Sequence, residues 1–155
     1  MTLLFRPAEP RDIPAMAEIR AGDWADAAYW EPRIRAYLSG ESRPQHALAP
    51  RVAFVCADAD QVVGLIAGHL TRRFGCDGEL QWLSICPQYR RRGVAAQLWR
   101  ALAEWFVAKG AFKICVDVEP SNTNARSFYR SQGAVEFKPS WMVWKDVRTG
   151  LLNVG

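Results

Sequence analysis

The stretch QYRRRGVAAQLWRALAEWF, residues 88–106, places three consecutive arginines directly before a glycine and a helical apolar pattern. It follows ELQWLSICP, residues 79–87, whose apolar β-forming residues indicate a strand ended by proline. A strand that turns directly into a helix leaves the first N–H groups of that helix unpaired, and these groups bind anions. Gly93 leaves room for a phosphate beside the backbone, and the arginines can contact its oxygens. The stretch therefore predicts a pyrophosphate site at the start of this helix.

The alternative for the arginine run is a solvated loop that merely precedes the helix. Arginine at a helix N-terminus is unfavourable by about a few tenths of a kcal/mol because of the helix dipole. That cost favours a functional role for the run. The run is neither a Walker loop, which needs GxxxxGK followed by Ser or Thr, nor the dinucleotide-binding GxGxxG.

Hydrophobic periodicity on either side of this stretch predicts the element order β α α β β β α β α β β. The first helix should turn its apolar side chains inward, and the long helix after the arginines should bury an apolar stripe. The inward residues of the first helix are Ile13, Met16, Ala17 and Ile19, and the stripe of the long helix is Ala95, Leu98, Leu102 and Trp105. Helices are predicted over about residues 10–20, 25–38, 93–109 and 123–132.

The strand pattern predicts the fold class. Residues 51–58 and 61–70, joined by an Asp-containing turn, form a predicted antiparallel hairpin. The strands at about 80–86 and 112–118 flank the long helix, so we expect them to be parallel. The chain should therefore be an α/β or α+β protein, with helices on both faces of one sheet. We expect a single domain over residues 1–155 that ends in a loose C-terminal tail.

Composition limits the function classes. The 155 residues are 50% hydrophobic and 23% charged, which is typical of a globular protein. A net charge of +4 favours an anionic ligand at one site and falls short of a nucleic-acid-binding composition. No apolar run approaches the roughly 18 residues of a membrane span, and early charges leave no room for a signal peptide, so we expect a cytoplasmic protein with no membrane partner. The four cysteines lack a CxxC pair, so we expect no metal site and reduced, buried thiols.

Two motifs stand in order along the chain. The first has Arg, two residues, Gly, one residue and a small residue between a strand and a long helix: Arg90, Arg91, Arg92, Gly93, Val94 and Ala95. The second consists of Asn122, Ala125, Phe128, Tyr129 and Gly133. Together they resemble the GCN5-related N-acetyltransferases, the GNAT family, over about residues 3–147. The departures are Ala95, commonly Gly in the family, and Ala134, commonly Phe.

The resemblance implies the GNAT fold and acetyl-CoA as cofactor. The GNAT sheet is mixed and mostly antiparallel, with a central parallel strand pair; the backbone of the first motif holds the CoA pyrophosphate, and the preceding strand pairs with the pantetheine arm. A strand can spare backbone groups only where it parts from its neighbour, so we expect the parallel strands to splay apart. The implied cofactor-binding residues are Leu83, Ser84, Ile85, Arg90, Arg91, Arg92, Gly93, Val94, Ala95, Asn122 and Tyr129.

The implied reaction is direct attack of an amine on the thioester. Family members usually transfer the acyl group without acylating the protein, so Ser84 and Cys86 are not expected to act as nucleophiles. Tyr129 matches the family's proton donor to the CoA thiolate, and a phenol with a pKa near 10 stays protonated at pH 7. The alternative for Tyr129 is a packing residue that donates only a hydrogen bond.

The general base is less clearly defined by the sequence. Glu79, eleven residues before Arg90, matches the glutamate of the histone-acetylating branch of the family. Four strand residues, or ~13 Å, separate it from Leu83, so a water chain, a strand bulge or a long substrate would have to bridge that distance. The alternatives are His69 on the hairpin as the base, a water relay, or a merely solvated carboxylate at Glu79.

Aromatic residues predict where the acceptor binds. The predicted second helix with its preceding loop and the last strands carry Trp24, Tyr29, Trp30, Trp141 and Trp144, with Asp23, Asp26 and Glu31 as candidate ion partners. If these rings line the acceptor site as an aromatic wall, they attract an ammonium group. The alternative is that they form part of the core, because aromatic residues at helical spacing often do so. We predict an acetyl-CoA-dependent N-acetyltransferase acting on a primary amine of a small molecule or peptide, without a nucleic-acid partner. The alternative is a non-catalytic acyl-CoA-binding module, and the resemblance admits a homodimer.

Overall fold

Seven strands form one sheet in the computed structural model, which describes residues 2–41 and 46–152. The strands are β1 (Leu3–Pro7), β2 (Leu48–Asp58), β3 (Gln61–Leu70), β4 (Gly78–Ile85), β5 (Ile114–Asp117), β6 (Val135–Lys138) and β7 (Trp141–Trp144). The helices are α1 (Ile13–Ala21), α2 (Ala27–Ser39), α3 (Val94–Ala108), α4 (Thr123–Ser131) and α5 (Val147–Leu152). The order across the sheet is β1-β2-β3-β4-β5-β7-β6. Among the described residues, we find no helix with the length and apolar character of a membrane span.

The predicted order of elements is confirmed up to β7. The predicted hairpin is the antiparallel pair β2–β3, and the predicted parallel pair is β4–β5. The expected loose tail is wrong for the described residues after β7, because they continue into α5. The predicted tail begins at residue 148, and Leu151 within it packs against the main hydrophobic core. The end of the predicted tail, residues 153–155, lies outside the described residues.

Helices cover both faces of the sheet, as predicted. The helices α1 and α2 pack on one face, and the four predicted inward residues of α1 are all buried there. The helix α3 packs on the other face, but its predicted stripe is rotated. The buried residues that recur every fourth position are Val94, Leu98, Leu102 and Phe106, whereas Ala95 and Trp105 are only partly buried.

Glycines on the sheet explain this rotation. A Cβ atom on Gly68 of β3 would lie 3.0 Å from side-chain atoms of both Leu102 and Phe106. A Cβ atom on Gly78 of β4 would lie 2.5 Å from Phe106. The helix therefore docks its longest apolar side chains where the strands carry no side chain, a match that helical periodicity alone does not reveal.

The parallel strands part soon after they pair. Residues 78–80 pair with residues 114–116, and no later residue of β4 pairs with β5 within the described part of the chain. Since β4 continues to Ile85, its last residues have an edge that faces away from β3 and lacks a strand neighbour. The predicted splay is confirmed.

A β-bulge decides which side chains face each way in β4. Ala67 of β3 pairs with Trp82, but the next residue, Gly68, pairs with Leu80, so Gln81 is the extra residue. As a result Glu79, Trp82 and Ser84 face the α1–α2 layer; Leu80, Leu83 and Ile85 face α3.

Candidate active site

The turn between β4 and α3 has the backbone shape of an anion site. Arg91 and Gly93 both have positive φ, at 63° and 79°, and runs of N–H groups in such turns form anion-binding concavities. No described side chain caps the N-terminus of α3. A Cβ atom on Gly93 would meet no atom within 4 Å, so the space in front of the helix end is open.

Side chains hold this turn in place. The hydroxyl of Tyr89 donates to the carboxylate of Asp58 in the β2–β3 turn, and the guanidinium of Arg92 lies 5.3 Å from the centre of the Tyr89 ring. Arg90 donates from Nε to the carbonyl of Ile85 at 3.2 Å. No local sequence pattern indicates the bond between Tyr89 and Asp58, because it joins residues 31 positions apart.

A polar network connects the turn to the loop between α1 and α2. Ser84 Oγ donates to Asp23 Oδ2 at 2.5 Å and accepts from Arg20 at 2.9 Å. Arg90 Nη2 lies 3.6 Å from Asp23 Oδ1. The Ser84 side chain is thus engaged by Asp23 and Arg20 on the face of β4 that packs on α1 and α2. The backbone of Ser84 remains for the predicted contact with pantetheine. Burial raises the pKa of the Cys86 thiol above its ordinary value, which disfavours a nucleophilic thiolate there.

Tyr129 lies on α4 with only 7% of its surface exposed. Its ring makes an edge contact with Trp144, with centroids 5.6 Å apart. Burial raises the pKa of the phenol, and the nearby charge of Arg20 partly opposes this effect. The hydroxyl therefore keeps its proton at neutral pH, as the predicted acid role requires.

Two further side chains position α4. Asn122 caps the helix, with its side-chain oxygen accepting from the N–H of Ala125 at 3.1 Å; its contact with a cofactor stays a prediction. Arg126 is buried and donates to the carbonyl of Val118 at 3.0 Å and to that of Pro139. Nothing in the sequence distinguished this arginine from the exposed ones. It anchors α4, and with it Tyr129, to the end of β5.

The two candidate bases lie opposite each other on neighbouring strands. His69 pairs with Glu79 in the β3–β4 register, and His69 Nε2 lies 3.6 Å from Glu79 Oε1. Arg73 Nε lies 3.6 Å from the same oxygen. Tyr37 OH lies 2.8 Å from His69 Nδ1. Glu79 is 6% exposed, so the alternative of a solvated strand-end carboxylate is wrong.

Asp117 is a further candidate site residue, which was not predicted from the sequence. Glu79 is in register with Cys115 on β5, and Asp117 lies two residues further along the same face, where the strands have parted. Its pKa is raised, first by partial desolvation and then by the charges of Glu79 and Glu119. The alternation of the ICVD strand could have indicated this position, because Asp117 is its only charged residue.

The predicted aromatic wall separates into core and surface residues. Trp30 and Trp144 are core residues, at 7% and 3% exposure, whereas Trp24 is 61% exposed in the α1–α2 loop. Trp141 is partly buried, with Arg73 4.8 Å from its ring centre. Trp82 of β4, which was not predicted, packs 5.8 Å from Trp30.

The candidate ion partners also differ in role. Asp26 caps α2 by accepting from the N–H of Tyr29 at 2.8 Å, and Glu31 pairs with Arg35 at 3.3 Å. These two carboxylates are accounted for by helix structure. Asp23, next to Ser84, is the carboxylate of this group that lies at the site. Among the described residues there is no cluster of three or more His, Cys, Asp or Glu side chains that could hold a metal ion.

A curated protein is similar in sequence to part of this chain. The aminoglycoside N(6')-acetyltransferase type 1 of Salmonella typhimurium is 33% identical over 66 residues, which are 40% of this chain and 46% of that protein. The match thus spans about half the length of this curated relative.

Two solved structures share the fold. The PaiA N-acetyltransferase of Thermoplasma acidophilum, in complex with coenzyme A, has a TM-score of 0.69 and 15% identity over 94% of this chain and 99% of that one. AAC(6')-Iy, in complex with the bisubstrate analogue CoA-S-monomethyl-acetylneamine, has a TM-score of 0.73 and 20% identity over 89% of this chain and 94% of that one. Residues 14–134, which contain both motifs, match the model of the acetyltransferase (GNAT) family. The chain therefore belongs to the acetyltransferase (GNAT) family.

Proposed function

We propose that this chain transfers an acetyl group from acetyl-CoA directly to a primary amine. The observation that carries the proposal is the parting of β4 from β5 beside the open N-terminus of α3. The parted strand offers backbone groups to an extended arm, and the helix end offers N–H groups to a pyrophosphate. No other pair of described strands in the sheet is parallel.

The residues present fit acetyl-CoA. The backbone of residues 91–95 would hold the pyrophosphate, supported by the exposed side chains of Arg91 and Arg92. The unpaired edge of residues 83–85 would hold the pantetheine arm, and one N–H of this edge would stabilise the oxyanion by roughly 3 kcal/mol. Acetyl-CoA, when bound, supplies an acyl carbon already activated as a thioester.

Glu79 and Tyr129 would move the protons. An alkylammonium with a pKa near 10.4 costs about 4.6 kcal/mol to deprotonate at pH 7, so a base is required. Glu79 first takes a proton from the ammonium group, directly or through water, and the neutral amine then forms the new N–C bond. Tyr129 donates its proton to the departing sulfur as the C–S bond breaks, and the second proton, lost from the new amide nitrogen, restores the phenol. The bulge at Gln81 supports this role for Glu79, because it puts Glu79 on the same face as Trp82 and Ser84.

The charges and aromatic rings around this face support a cationic acceptor. Glu79 and Asp117 lie on the acceptor side of the parted strands, and Asp23 and the exposed Trp24 lie on the neighbouring loop. Carboxylates and indole faces both attract ammonium groups. The Salmonella relative is an aminoglycoside acetyltransferase, so aminoglycosides come first among the amines to be tested, followed by polyamines and peptide N-termini.

The rest of the proposal concerns the chain as a whole. We infer that it acts as a single domain in the cytoplasm, with no nucleic-acid or membrane partner and with a homodimer as the candidate assembly. The mixture of 20 basic and 16 acidic residues supports the absence of a nucleic-acid-binding face. Light scattering of the purified chain tests the homodimer. Retention of the chain on immobilised RNA across a salt series tests the absence of a nucleic-acid partner.

Thermal unfolding with acetyl-CoA, CoA and ATP tests the cofactor assignment. A ligand at 100 times its Kd stabilises by about 2.7 kcal/mol, which is about 5–10 °C for a chain of this size. We expect this shift with both CoA species and none with ATP. Release of free thiol in the presence of an amine panel then tests catalysis. A shift without thiol release would favour the non-catalytic acyl-CoA-binding module, and no shift would contradict the assignment altogether.

A further inference from the structure

Three buried polar side chains form a row across α2, β3 and β4. Tyr37 is 1% exposed, His69 is fully buried and Glu79 is 6% exposed. Tyr37 OH is 2.8 Å from His69 Nδ1, and His69 Nε2 is 3.6 Å from Glu79 Oε1. Neither His69 Nε2 nor Glu79 Oε1 has a hydrogen-bond partner among the described residues. A buried polar row in which two facing atoms lack hydrogen bonds calls for a functional explanation.

The chemistry of the row fixes the tautomer of His69. Burial raises the pKa of Tyr37, so its hydroxyl keeps its proton. If Tyr37 donates to Nδ1, the proton of the neutral imidazole is on Nε2 and points at Glu79. In the opposite tautomer, an Nε2 lone pair would face an acceptor-only carboxylate in a buried place, which is the costlier arrangement. The row therefore runs from Tyr37 as donor to Glu79 as final acceptor.

We propose that His69, with its tautomer set by Tyr37, is a positioning residue that aims the Glu79 carboxylate at the acceptor amine. This inference rests on the proposed function, in which Glu79 is the base. A neutral N–H donor orients the carboxylate and adds no second positive charge to that of Arg73, which lies 3.6 Å from the same oxygen. The separation of 3.6 Å exceeds a normal N–H···O distance, and catalytic hydrogen bonds are often long before substrate binds.

Other charged or titratable groups also act on the row. Arg73, in the turn before β4, lies 3.6 Å from Glu79 Oε1, and Arg51 of β2 lies 5.1 Å from the Tyr37 ring centre. Asp117 and Cys115 on β5 and Cys76 before β4 also interact electrostatically with Glu79. Arg73 and His69 reach the same carboxylate oxygen, so removal of His69 alone leaves a cation next to Glu79.

The test compares pH profiles of kcat/KM for an amine that the panel identifies. In His69→Leu, which removes the N–H donor, we expect kcat to fall by about 10- to 100-fold and the acid limb of the profile to move to higher pH. Tyr37→Phe removes the hydroxyl that sets the His69 tautomer. In this variant we expect the acid limb to move to higher pH as well, with a smaller loss of kcat. His69→Gln, which can offer an amide N–H in place of Nε2–H, should restore most of the rate. The CoA-induced thermal shift should be unchanged in all three variants.

The controls separate this inference from the proposed function. His46→Gln changes the exposed second histidine and should leave both the rate and the profile unchanged. Glu79→Gln should abolish the acid limb; a normal rate in that variant would remove Glu79 as base and overturn the premise. If Glu79→Gln is inactive but the acid limb of Tyr37→Phe and His69→Leu stays in place, the role of His69 is contradicted and the proposed function survives.

A measurement on the unmodified protein guards against variants that fail to fold. Nitrogen NMR of the imidazole distinguishes the two neutral tautomers without any acceptor. We expect His69 to carry its proton on Nε2 at neutral pH. Protonation of Nδ1 alone, or of both nitrogens, would contradict the proposed row.

Discussion

The cleanest perturbation of the cofactor site is Gly93→Glu. Gly93 precedes α3 with φ of 79°, and a Cβ atom there meets nothing within 4 Å. The new side chain therefore fits sterically but adds a negative charge in front of the N–H groups that are proposed to hold pyrophosphate. Gly110, after the C-terminus of α3, supplies a matched control, because its φ is 73° and a Cβ atom there also meets nothing within 4 Å.

Gly93→Glu should have a small effect on stability and a large effect on CoA binding. A non-glycine residue in left-handed conformation costs about 1–2 kcal/mol, and a carboxylate at a helix N-terminus regains about 0.3–1 kcal/mol. The net cost of Gly93→Glu is therefore below about 2 kcal/mol, or at most about 7 °C in Tm. Gly110→Glu incurs the same conformational cost next to the negative end of the helix, so it should be at least as unstable. The stabilisation by CoA, about 5–10 °C at 100 times Kd, should vanish only in Gly93→Glu.

Thermal unfolding with and without CoA, together with calorimetric titration, measures both quantities on the same samples. We expect Gly93→Glu to be folded and to show no CoA shift, and Gly110→Glu to show the full shift. Normal CoA affinity in Gly93→Glu would refute the assignment of pyrophosphate to this turn. Equal loss of binding in both variants would mean that the conformational cost, and not the site, was being measured.

Three further predictions concern the acid, the acceptor and acid stability. Tyr129→Phe should keep the CoA shift and lower kcat by about 10²-fold or more; unchanged thiol release would leave Tyr129 as a packing residue. Asp117→Asn should raise KM several-fold for acceptors with two or more ammonium groups but little for a monoamine, and an equal effect on both would show that Asp117 does not contact the acceptor. Asp12→Asn should lower Tm at pH 7, because the Arg6 guanidinium lowers the pKa of Asp12 below its ordinary 3.8. That stabilisation is present above 3.8 and is lost as the pH falls through the folded-state pKa, so the wild type and variant should converge in acid; a difference in Tm that does not change with pH would contradict this assignment.

The order of elements was predictable because each one has a strong local pattern. The apolar, β-branched runs of the β2–β3 hairpin indicate strands, and the 3.6-residue period of α1 indicates both a helix and its buried face without tertiary information. The parting of β4 and β5 followed from the family resemblance together with backbone accounting, since pantetheine needs partners that a paired strand lacks. The helix α5 was not predicted, because its six residues include a glycine and are too few to show a helical hydrophobic period.

What the sequence did not show depends on register between distant strands. The bulge at Gln81 decides that Glu79 faces the same side as Ser84, and no local pattern in ELQWLSI indicates an extra residue. The rotation of α3 depends on glycines of β3 and β4, which lie more than twenty residues away along the chain from the side chains that they admit. The pairing of His69 with Glu79 likewise exists only in the folded sheet, so the sequence presented them as alternatives.

Amide NMR during a titration of the unmodified protein with CoA tests the central claim most directly, because it reports each backbone N–H separately and needs no acceptor. The claim is that the N–H groups of residues 91–95 hold the pyrophosphate while those of residues 83–85 face the pantetheine. We expect both sets of signals to move and to saturate together, with those at the far end of the sheet, in β1, unchanged. Signals of residues 91–95 that stay in place while CoA binds elsewhere would contradict the account.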